Sequence, residues 1–327
     1  MNAAKKLQET ASHLFTSVSR GLRASVLAHP ERWGEELAAN GYIAGWKLIA
    51  HLPLGITAPL FRVGADIASK KGKGMPQLRK NLVRVVGENN VTDALIRDSM
   101  RSYTRYWLEA FRLPSLAGDP TTVQRFGDAI IGKDHLEASI NSGKGVVLVL
   151  PHTGNWDMAG MFLTSRYSKF TTVAERLKPE RLFDAFVEYR QSLGFKVLAH
   201  EGATGPYEEL RMDVSAGGIV CLLGERDLKK SGVEVEFFGE TTRMPAGAAR
   251  LALDTGAPLH VVHTWFEGDG WGTSISKPLE STTLSGLIQE MAGHFEENIR
   301  QHPVDWHMLQ PLWLADLDQE RYEKGIS

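Results

Sequence analysis

The sequence contains very little cysteine and no long uninterrupted hydrophobic run. Its 327 residues include one cysteine, Cys221, which excludes an intramolecular disulfide scaffold and any multi-cysteine zinc or iron–sulfur site. A membrane-spanning helix needs about 20 apolar residues. The most apolar candidate, residues 41–68, is interrupted by charged residues, a histidine and two prolines. Residues 1–30 lack the apolar run of a secretory signal, so we expect a reducing compartment and no membrane crossing.

Three motifs of common enzyme classes are also missing. The chain has no G-x-S-x-G nucleophile elbow. It has no Walker A motif and no dinucleotide-binding G-x-G-x-x-G. His260 and His263 lie three apart on an expected strand, where they would face opposite sides and could not share a metal ion. His302 and His307 are interpreted as packed or capping residues. The candidate chemistry must therefore come from other side chains.

Charge is unevenly distributed along the chain. The net charge is −2, but residues 1–87 carry +8 and the remaining residues carry −10. A basic region on an acidic body suggests an anionic partner, either a membrane or a nucleic acid. The alternative is an incidental solvated basic face. Residues 5–23 show helical apolar spacing, and such a helix can lie in a membrane interface or pack on its own domain.

From residue 145 onward, strand-like runs alternate with helical stretches. The continuous apolar run at 145–150 is typical of a strand that is buried on both faces. Further strands are expected at 170–173, 195–198, 219–223, 233–238, 259–266 and 272–276, and helices at 156–166, 179–193, 205–215, 246–255 and 284–301. This order predicts an α/β fold with a mostly parallel central sheet wrapped by helices.

The amino-terminal region before this sheet is predicted to be helical. Residues 40–70 are interpreted as apolar helices cut by Pro53 and Pro59. Residues 76–112 are interpreted as two helices, with a flexible basic loop at 70–74 before them.

The first candidate site follows the strand at 145–150. Pro151 cannot continue the strand, so His152 emerges at its carboxyl end, where open α/β sheets bind their ligands. Asp157 follows five positions later and can orient the imidazole if a turn at Gly154 breaks the helix. The His-x4-Asp spacing is weak evidence by itself in a chain with 11 histidines. Its place directly after a strand strengthens it.

Charged residues also follow the strand expected at 219–223. Glu225 can open onto the same crevice as His152, fix its tautomer and raise its basicity, which suits removal of a proton from a sugar or alcohol hydroxyl. The alternative is a structural salt bridge among Glu225, Arg226 and Asp227. Glu175 and Arg190 can form a buried pair in a site wall, although surface ion pairs are commoner. Cys221 is interpreted as an inert core thiol.

Together, the strand-linked His-x4-Asp motif and the later E-R-D sequence resemble the lysophospholipid and lipid A acyltransferase superfamily. The match is closest to the phosphatidylinositol mannoside acyltransferases of that superfamily. It rests on the ordered segments TVAERLKPE, FVEYRQSLGF, ERDLKKSGVEVEFFGE, TRMPAG, WFEGDGWG and DWHMLQPLW. The resemblance runs from about residue 40 to residue 317. We therefore divide the chain into an amino-terminal extension, 1–39, and a single acyltransferase domain, 40–327.

The resemblance implies a reaction and its partners. A fatty acyl group, typically palmitoyl, would pass from acyl-CoA to the 6-hydroxyl of the mannose linked to position 2 of inositol. The acceptor would be a phosphatidylinositol mono- or dimannoside, at the cytoplasmic face of the plasma membrane. Acyl-CoA would be a co-substrate, with no metal, no other cofactor and no nucleic acid. The alternatives are a lipid A-type or lysophospholipid acceptor, or a catalytically silent lipid-binding protein.

The resemblance also implies roles for particular residues. His152 would be the catalytic base, Asp157 its motif partner and Glu225 the carboxylate that pairs with the histidine. Residues that match substrate or acyl-CoA contacts of the family are Glu175, Arg190, Ser231 and Asp254, the last standing where the family more often has Glu.

Overall fold

A computed structural model describes residues 41, 45–46, 48–117, 119–167, 169–174, 180–199, 205–227 and 231–317. The predicted extension at 1–39, with its amphipathic segment at 5–23, and Glu175 lie outside the described residues. The division of the chain into an extension and one domain stays a prediction.

The amino-terminal part of the described chain is helical, as predicted. Helix α1 is Leu54–Ala68. It continues through Pro59, so the predicted break at this residue is wrong. Proline removes one backbone hydrogen bond, but tertiary contacts hold the helix on its neighbour, including the ion pair between Asp66 and Arg101, whose oxygen and nitrogen atoms lie 2.6 Å apart. Pro53 stands at the start of the helix.

Four further helices lead to the sheet. They are α2 (Pro76–Val86), α3 (Asp93–Ala117), α4 (Pro120–Asp128) and α5 (Lys133–Asn141). The longest of them, α3, packs against α1. The segment at 70–74 is not the free loop that the sequence predicts. It contains a short 3-10 helix, Lys70–Gly72, and the carbonyl oxygen of the buried Gly72 accepts a hydrogen bond of 2.9 Å from Arg79.

Seven strands form the central sheet, in the order β1-β9-β8-β2-β5-β3-β4. Its members are β1 (Ile130–Ile131), β2 (Val146–Leu150), β3 (Phe170–Ala174), β4 (Lys196–Ala199), β5 (Ile219–Leu223), β8 (Leu259–Glu267) and β9 (Gly270–Ile275). Among the described strands of this sheet, only β8 and β9 pair in antiparallel fashion, so the predicted mostly parallel sheet is confirmed. Between β5 and β8, the strands β6 (Val233–Phe237) and β7 (Glu240–Met244) form a separate antiparallel hairpin.

Helices cover the sheet as expected. They are α6 (Trp156–Arg166), α7 (Glu180–Ser192), α8 (Tyr207–Ser215), α9 (Gly247–Thr255) and α10 (Leu284–Gln301). Among the residues that the structure describes, none of the helices combines the length and apolarity that a bilayer-spanning helix needs.

The apolar run at 145–150 forms β2 at the centre of the sheet. All five residues of β2 are buried. Val147 and Val149 face one hydrophobic cluster, and Val146, Leu148 and Leu150 face the other. β2 and β5 run in parallel and end together, because Leu150 pairs with Leu223. The residues that follow these two strands therefore meet at one edge of the sheet.

Candidate active site

His152 and Glu225 meet at the carboxyl ends of β2 and β5. Nδ1 of His152 lies 2.6 Å from Oε1 of Glu225, and the backbone N–H of His152 donates to the same oxygen at 3.0 Å. The Glu225 side chain is fully buried, whereas that of His152 is 35% exposed. Because Nδ1 donates its proton to the carboxylate, Nε2 keeps the lone pair that can accept a proton.

The Glu225 carboxylate is not used in the alternative salt bridge with Arg226 and Asp227. Its second oxygen, Oε2, accepts a hydrogen bond of 3.1 Å from the indole Nε1 of Trp306. Within the described part of the chain, both carboxylate oxygens are therefore engaged by His152 and Trp306. The sequence did not indicate this second partner, which lies 81 residues further along the chain.

A tight turn carries the chain from β2 into α6. Gly154 adopts φ 49°, and a Cβ atom there would lie 2.5 Å from the backbone oxygen of Thr264, so a larger residue does not fit. Asn155 then caps α6, because its side chain accepts a hydrogen bond from the backbone N–H of Met158. Its amide nitrogen donates to Glu109 of α3 at 2.8 Å. This anchoring fixes where the first turn of α6 points.

Asp157, in that first turn, does not approach the imidazole. Its two oxygens accept hydrogen bonds from Nε and Nη2 of Arg190 at 3.0 and 3.1 Å. The Tyr106 hydroxyl also donates to Asp157, at 2.9 Å. The carboxylate that orients His152 in the structure is therefore Glu225, and the expected Asp157–His152 contact is wrong. The helix start turns Asp157 towards α3 and α7, away from the end of β2.

The Asp157–Arg190 pair is a buried charged unit. Asp157 is 4% exposed. Burial lowers the pKa of the Arg190 guanidinium, but the Asp157 carboxylate outweighs this effect and the pKa is raised. Burial and the charge of Asp157 both raise the pKa of the Tyr106 hydroxyl well above its ordinary value. Tyr106 therefore stays a hydrogen-bond donor, and the unit holds together α3, α6 and α7.

The remaining predicted binding residues are not brought to this place. Ser231 lies exposed in the turn before β6. Asp254, in α9, accepts a hydrogen bond of 2.5 Å from Tyr207 of α8. Glu175 lies outside the described residues, so a Glu175–Arg190 pair stays a prediction, as do the binding roles of all four residues.

An apolar cavity lies between the sheet and α6, and the sequence analysis missed it. Its walls come from α6 and from six adjacent strands, β1, β9, β8, β2, β5 and β3; examples are Leu148, Cys221, Val262, Phe170 and Ile275. Asp157, Arg190 and Trp156 also line it. Burial raises the pKa of the Cys221 thiol, as expected for an inert core thiol. The sequence offered one weak indication of this space, the small residue Gly160 in α6. In the structure it faces the rings of two phenylalanines.

Trp156 lies between the cavity and the histidine. Its ring stands edge-on to the His152 imidazole, with ring centres 5.5 Å apart, and it stacks on Tyr106 at 4.0 Å. Trp156 is thus in contact with both, since it lines the cavity and packs against His152. The arrangement places an apolar space one side chain away from the His152–Glu225 pair.

A carboxy-terminal segment that we call the strap, residues 305–307, covers the turn after β2. Gly154 donates its backbone N–H to the carbonyl oxygen of Asp305 at 2.9 Å, and His307 donates to that of His152 at 2.8 Å. Burial, together with the nearby His152, lowers the pKa of His307 to about 3, so His307 is a neutral packed residue, as interpreted from the sequence. Its Nε2 lies 2.9 Å from the Ser102 hydroxyl.

Comparison with known proteins agrees with this geometry. Residues 23–315 match the family model for bacterial lipid A biosynthesis acyltransferases. A phosphatidylinositol mannoside acyltransferase of Mycolicibacterium smegmatis is 50% identical over 295 residues, which cover 88% of this chain and 95% of that protein. One from Mycobacterium tuberculosis is 49% identical over 286 residues, covering 86% and 90%. The chain therefore belongs to the bacterial lipid A biosynthesis acyltransferase family and is an acyltransferase.

Proposed function

We propose that this enzyme moves a fatty acyl group, palmitoyl in the expected case, from acyl-CoA to a phosphatidylinositol mono- or dimannoside. The acceptor atom is the 6-hydroxyl of the mannose linked to position 2 of inositol. The observation that carries the chemistry is the His152–Glu225 pair, which is separated from an apolar cavity by the ring of Trp156. The acceptor rests on the relatives that share about half of this sequence and on the resemblance of the sequence motifs.

In the proposed mechanism His152 acts as a general base. A sugar hydroxyl is a weak nucleophile, so Nε2 takes its proton as the oxygen attacks the thioester carbonyl carbon. The tetrahedral intermediate then collapses, the carbon–sulfur bond breaks, and the CoA sulfur leaves with the proton that His152 returns. Glu225 holds the Nδ1–H and stabilises the imidazolium that forms in between. The acyl group passes directly to the sugar, without a covalent enzyme intermediate.

The oxyanion of that intermediate needs hydrogen-bond donors, and the backbone N–H groups of the turn after β2 are already occupied. The backbone N–H groups of His152, Thr153 and Gly154 donate to Glu225, Pro151 and Asp305 respectively. We therefore assign the oxyanion to the amino-terminal end of α6, at Trp156 and Asp157. The N–H groups of a first helical turn have no partner within the helix, and the helix dipole favours negative charge there.

We assign the apolar cavity to the acyl chain of the donor. Residues of six neighbouring strands line it together with residues of α6, and most of these side chains are apolar. Such walls suit a long saturated chain, which gains free energy when it leaves water. Arg190 and Asp157 line the same cavity and supply its polar part. This agrees with the match of Arg190 to a substrate contact of the family.

We further propose that the enzyme works as a peripheral protein at the cytoplasmic face of the plasma membrane. Helix α1 exposes an apolar face whose members are more than half exposed, namely Ile56, Leu60, Val63 and Ile67. Lys70, Lys71 and Lys73 follow directly after the helix. Since the acceptor is an anionic glycolipid, a basic and apolar surface next to the helices that hold Asp157 is suited to reach it in the bilayer.

Product analysis with purified protein tests the proposed function. Palmitoyl-CoA is offered with phosphatidylinositol mono- and dimannoside, and in parallel with a lysophospholipid and a lipid A precursor. We expect a palmitoyl ester at the 6-hydroxyl of the mannose at inositol position 2, identified by mass spectrometry and NMR, and none from His152→Ala. Transfer to the lipid A precursor alone would support the second candidate, which the family model favours.

A further inference from the structure

The Glu225 carboxylate sits in a place where an unassisted charge would be unstable. Its side chain is fully buried, and a carboxylate without hydrogen-bond donors in such a place favours its neutral form. On one oxygen, His152 supplies two donors, the Nδ1–H and the backbone N–H. On the other oxygen the donor is the indole N–H of Trp306, at 3.1 Å. Trp306 is thus what holds the side of the carboxylate that faces away from His152.

The indole itself is held rigidly. Trp306 is 1% exposed, and its ring packs beside those of Phe237, Phe238 and Trp313. Its backbone forms an antiparallel bridge with Thr153, one residue after His152. The strap therefore ties the indole donor and the turn that carries His152 into one unit. Neither can shift without the other.

We propose that Trp306 is a positioning residue of this acyltransferase, whose indole N–H fixes the Glu225 carboxylate so that the opposite oxygen faces His152. The inference rests on the proposed function, because it matters only if His152 is the base. Without the indole N–H, Oε2 is a buried acceptor with no donor among the residues that the structure describes, and the carboxylate can rotate or take up a proton. A neutral or rotated carboxyl group no longer stabilises the imidazolium that forms in the transition state.

A pair of matched variants separates this role from simple packing. Trp306→Phe removes the indole N–H and keeps an aromatic ring. Trp313→Phe is the control, because Trp313 is also fully buried. Its ring lies 6.1 Å from that of Trp306, and its N–H donates to the backbone oxygen of Phe237 at 2.9 Å and not to the catalytic pair. Both variants are measured for kcat, for KM of each substrate and for melting temperature.

We expect kcat to fall about tenfold or more in Trp306→Phe. A change of this size corresponds to the loss of one hydrogen bond to a charged group. The two KM values should stay unchanged, because the buried indole does not reach the crevice. Trp313→Phe should lose thermal stability to a similar extent while keeping kcat. The proposal would be overturned if Trp306→Phe had the kcat of wild type. It would also be overturned if kcat fell equally in Trp306→Phe and Trp313→Phe.

A second substitution at position 306 and an NMR measurement test the same role of Trp306 in other ways. If Trp306→Phe does not fold, benzothienylalanine at position 306 keeps the ring shape and replaces the N–H by sulfur; its kcat then decides. The NMR measurement follows the Nδ1 proton resonance of His152, which a short bond to a carboxylate moves far downfield. It should shift in Trp306→Phe and not in Trp313→Phe, even if wild type fails to acylate the mannoside. An unchanged resonance in both would refute the proposal independently of the substrate.

Discussion

Two side-chain pairs at the edge of the sheet use the two halves of one sequence motif in opposite ways. His152 pairs with Glu225 on the ends of adjacent strands, and its ring is about one-third exposed. Asp157 pairs with Arg190 between helices, where both are enclosed with Tyr106. The first pair keeps one nitrogen open towards a ligand. In the second pair, both oxygens of the Asp157 carboxylate accept hydrogen bonds from other side chains of the protein. The two residues of the motif therefore have different roles.

The difference follows from where each residue leaves its secondary structure. His152 comes two residues after a strand that ends level with its neighbour, so the adjacent strand must deliver its next side chains to the same place. Asp157 comes two residues after a helix cap, and the direction of the helix sends it away from the sheet. The comparison predicts large kinetic effects at the first pair and large stability effects at the second.

The largest expected effect is on His152→Ala. Loss of a general base costs about 10²–10⁴ in rate, and the side chain is exposed enough for the fold to tolerate the change. Acyl transfer by the purified variant is compared with wild type, together with circular dichroism to establish folding. Near-normal turnover by a folded variant would remove His152 from the mechanism.

Glu225→Gln should come next. Glutamine keeps the shape but removes the charge that stabilises the imidazolium and fixes the tautomer. Loss of such a carboxylate partner of a histidine costs about 10–100-fold in activity by analogy with metal sites. Acyl-CoA binding, measured by titration calorimetry, should remain. If Glu225 served only a structural salt bridge, activity would survive and the melting temperature would fall instead.

The sequence predicted the first pair better than the second. The apolar runs that form β2 and β5 are long and unambiguous, so the places of His152 and Glu225 after them could be expected. The partners of Asp157 depend on the Asn155 cap and on the bond of Asn155 to Glu109. The cap is local, but the bond to Glu109 joins segments that are 46 residues apart. The contacts of Trp306 with Glu225 and with the turn after β2 also join distant segments of the chain.

Other differences have similar physical causes. β1 has only two residues, and β7 alternates polar and buried positions with threonines in place of large apolar side chains, so neither gave a strand signal. The cavity depends on the volumes of side chains from six strands, which no local pattern of the sequence specifies. Pro59 was expected to end a helix because local propensity ignores packing against α3, which holds α1 in place.

Asp157→Asn tests the stability side of the comparison. Removing the charge leaves Arg190 buried without its counter-charge, which costs about 3–5 kcal/mol. Denaturant unfolding measures the loss, with Asp134→Asn as a control because Asp134 is 84% exposed. Activity per folded molecule should fall less than in His152→Ala. Unchanged unfolding with abolished turnover would instead make Asp157 a catalytic residue, as the motif alone suggests.

The smallest expected effect on turnover is that of charge changes at the membrane-facing surface, which sharpen the contrast between the basic amino-terminal region and the acidic body. Lys70 and Lys71 adopt positive φ, so asparagine is the suitable neutral residue there. The variant is Lys70→Asn, Lys71→Asn, Lys73→Gln. At about 1 kcal/mol per basic residue near an anionic surface, vesicle binding at low salt should weaken by up to about 100-fold.

A matched triple on the body serves as the control for that experiment. It replaces Lys133, Lys144 and Lys277 by glutamine and should bind anionic vesicles like wild type. Wild-type binding should weaken with salt, because the charge attraction is screened over about 8 Å at physiological salt. Turnover on detergent-solubilised acceptor should be unaffected. Equal binding to neutral and anionic vesicles would show that docking is purely hydrophobic.

The tautomer of His152 tests the central claim most directly. Histidine labelled with ¹⁵N reports which ring nitrogen carries the proton, and the spectrum is recorded at the pH of fastest transfer with His152→Ala for assignment. We predict a neutral imidazole protonated on Nδ1, held by Glu225, with Nε2 free to accept a proton. A proton on Nε2 would place the lone pair against Glu225 and contradict the assignment of His152 as the base.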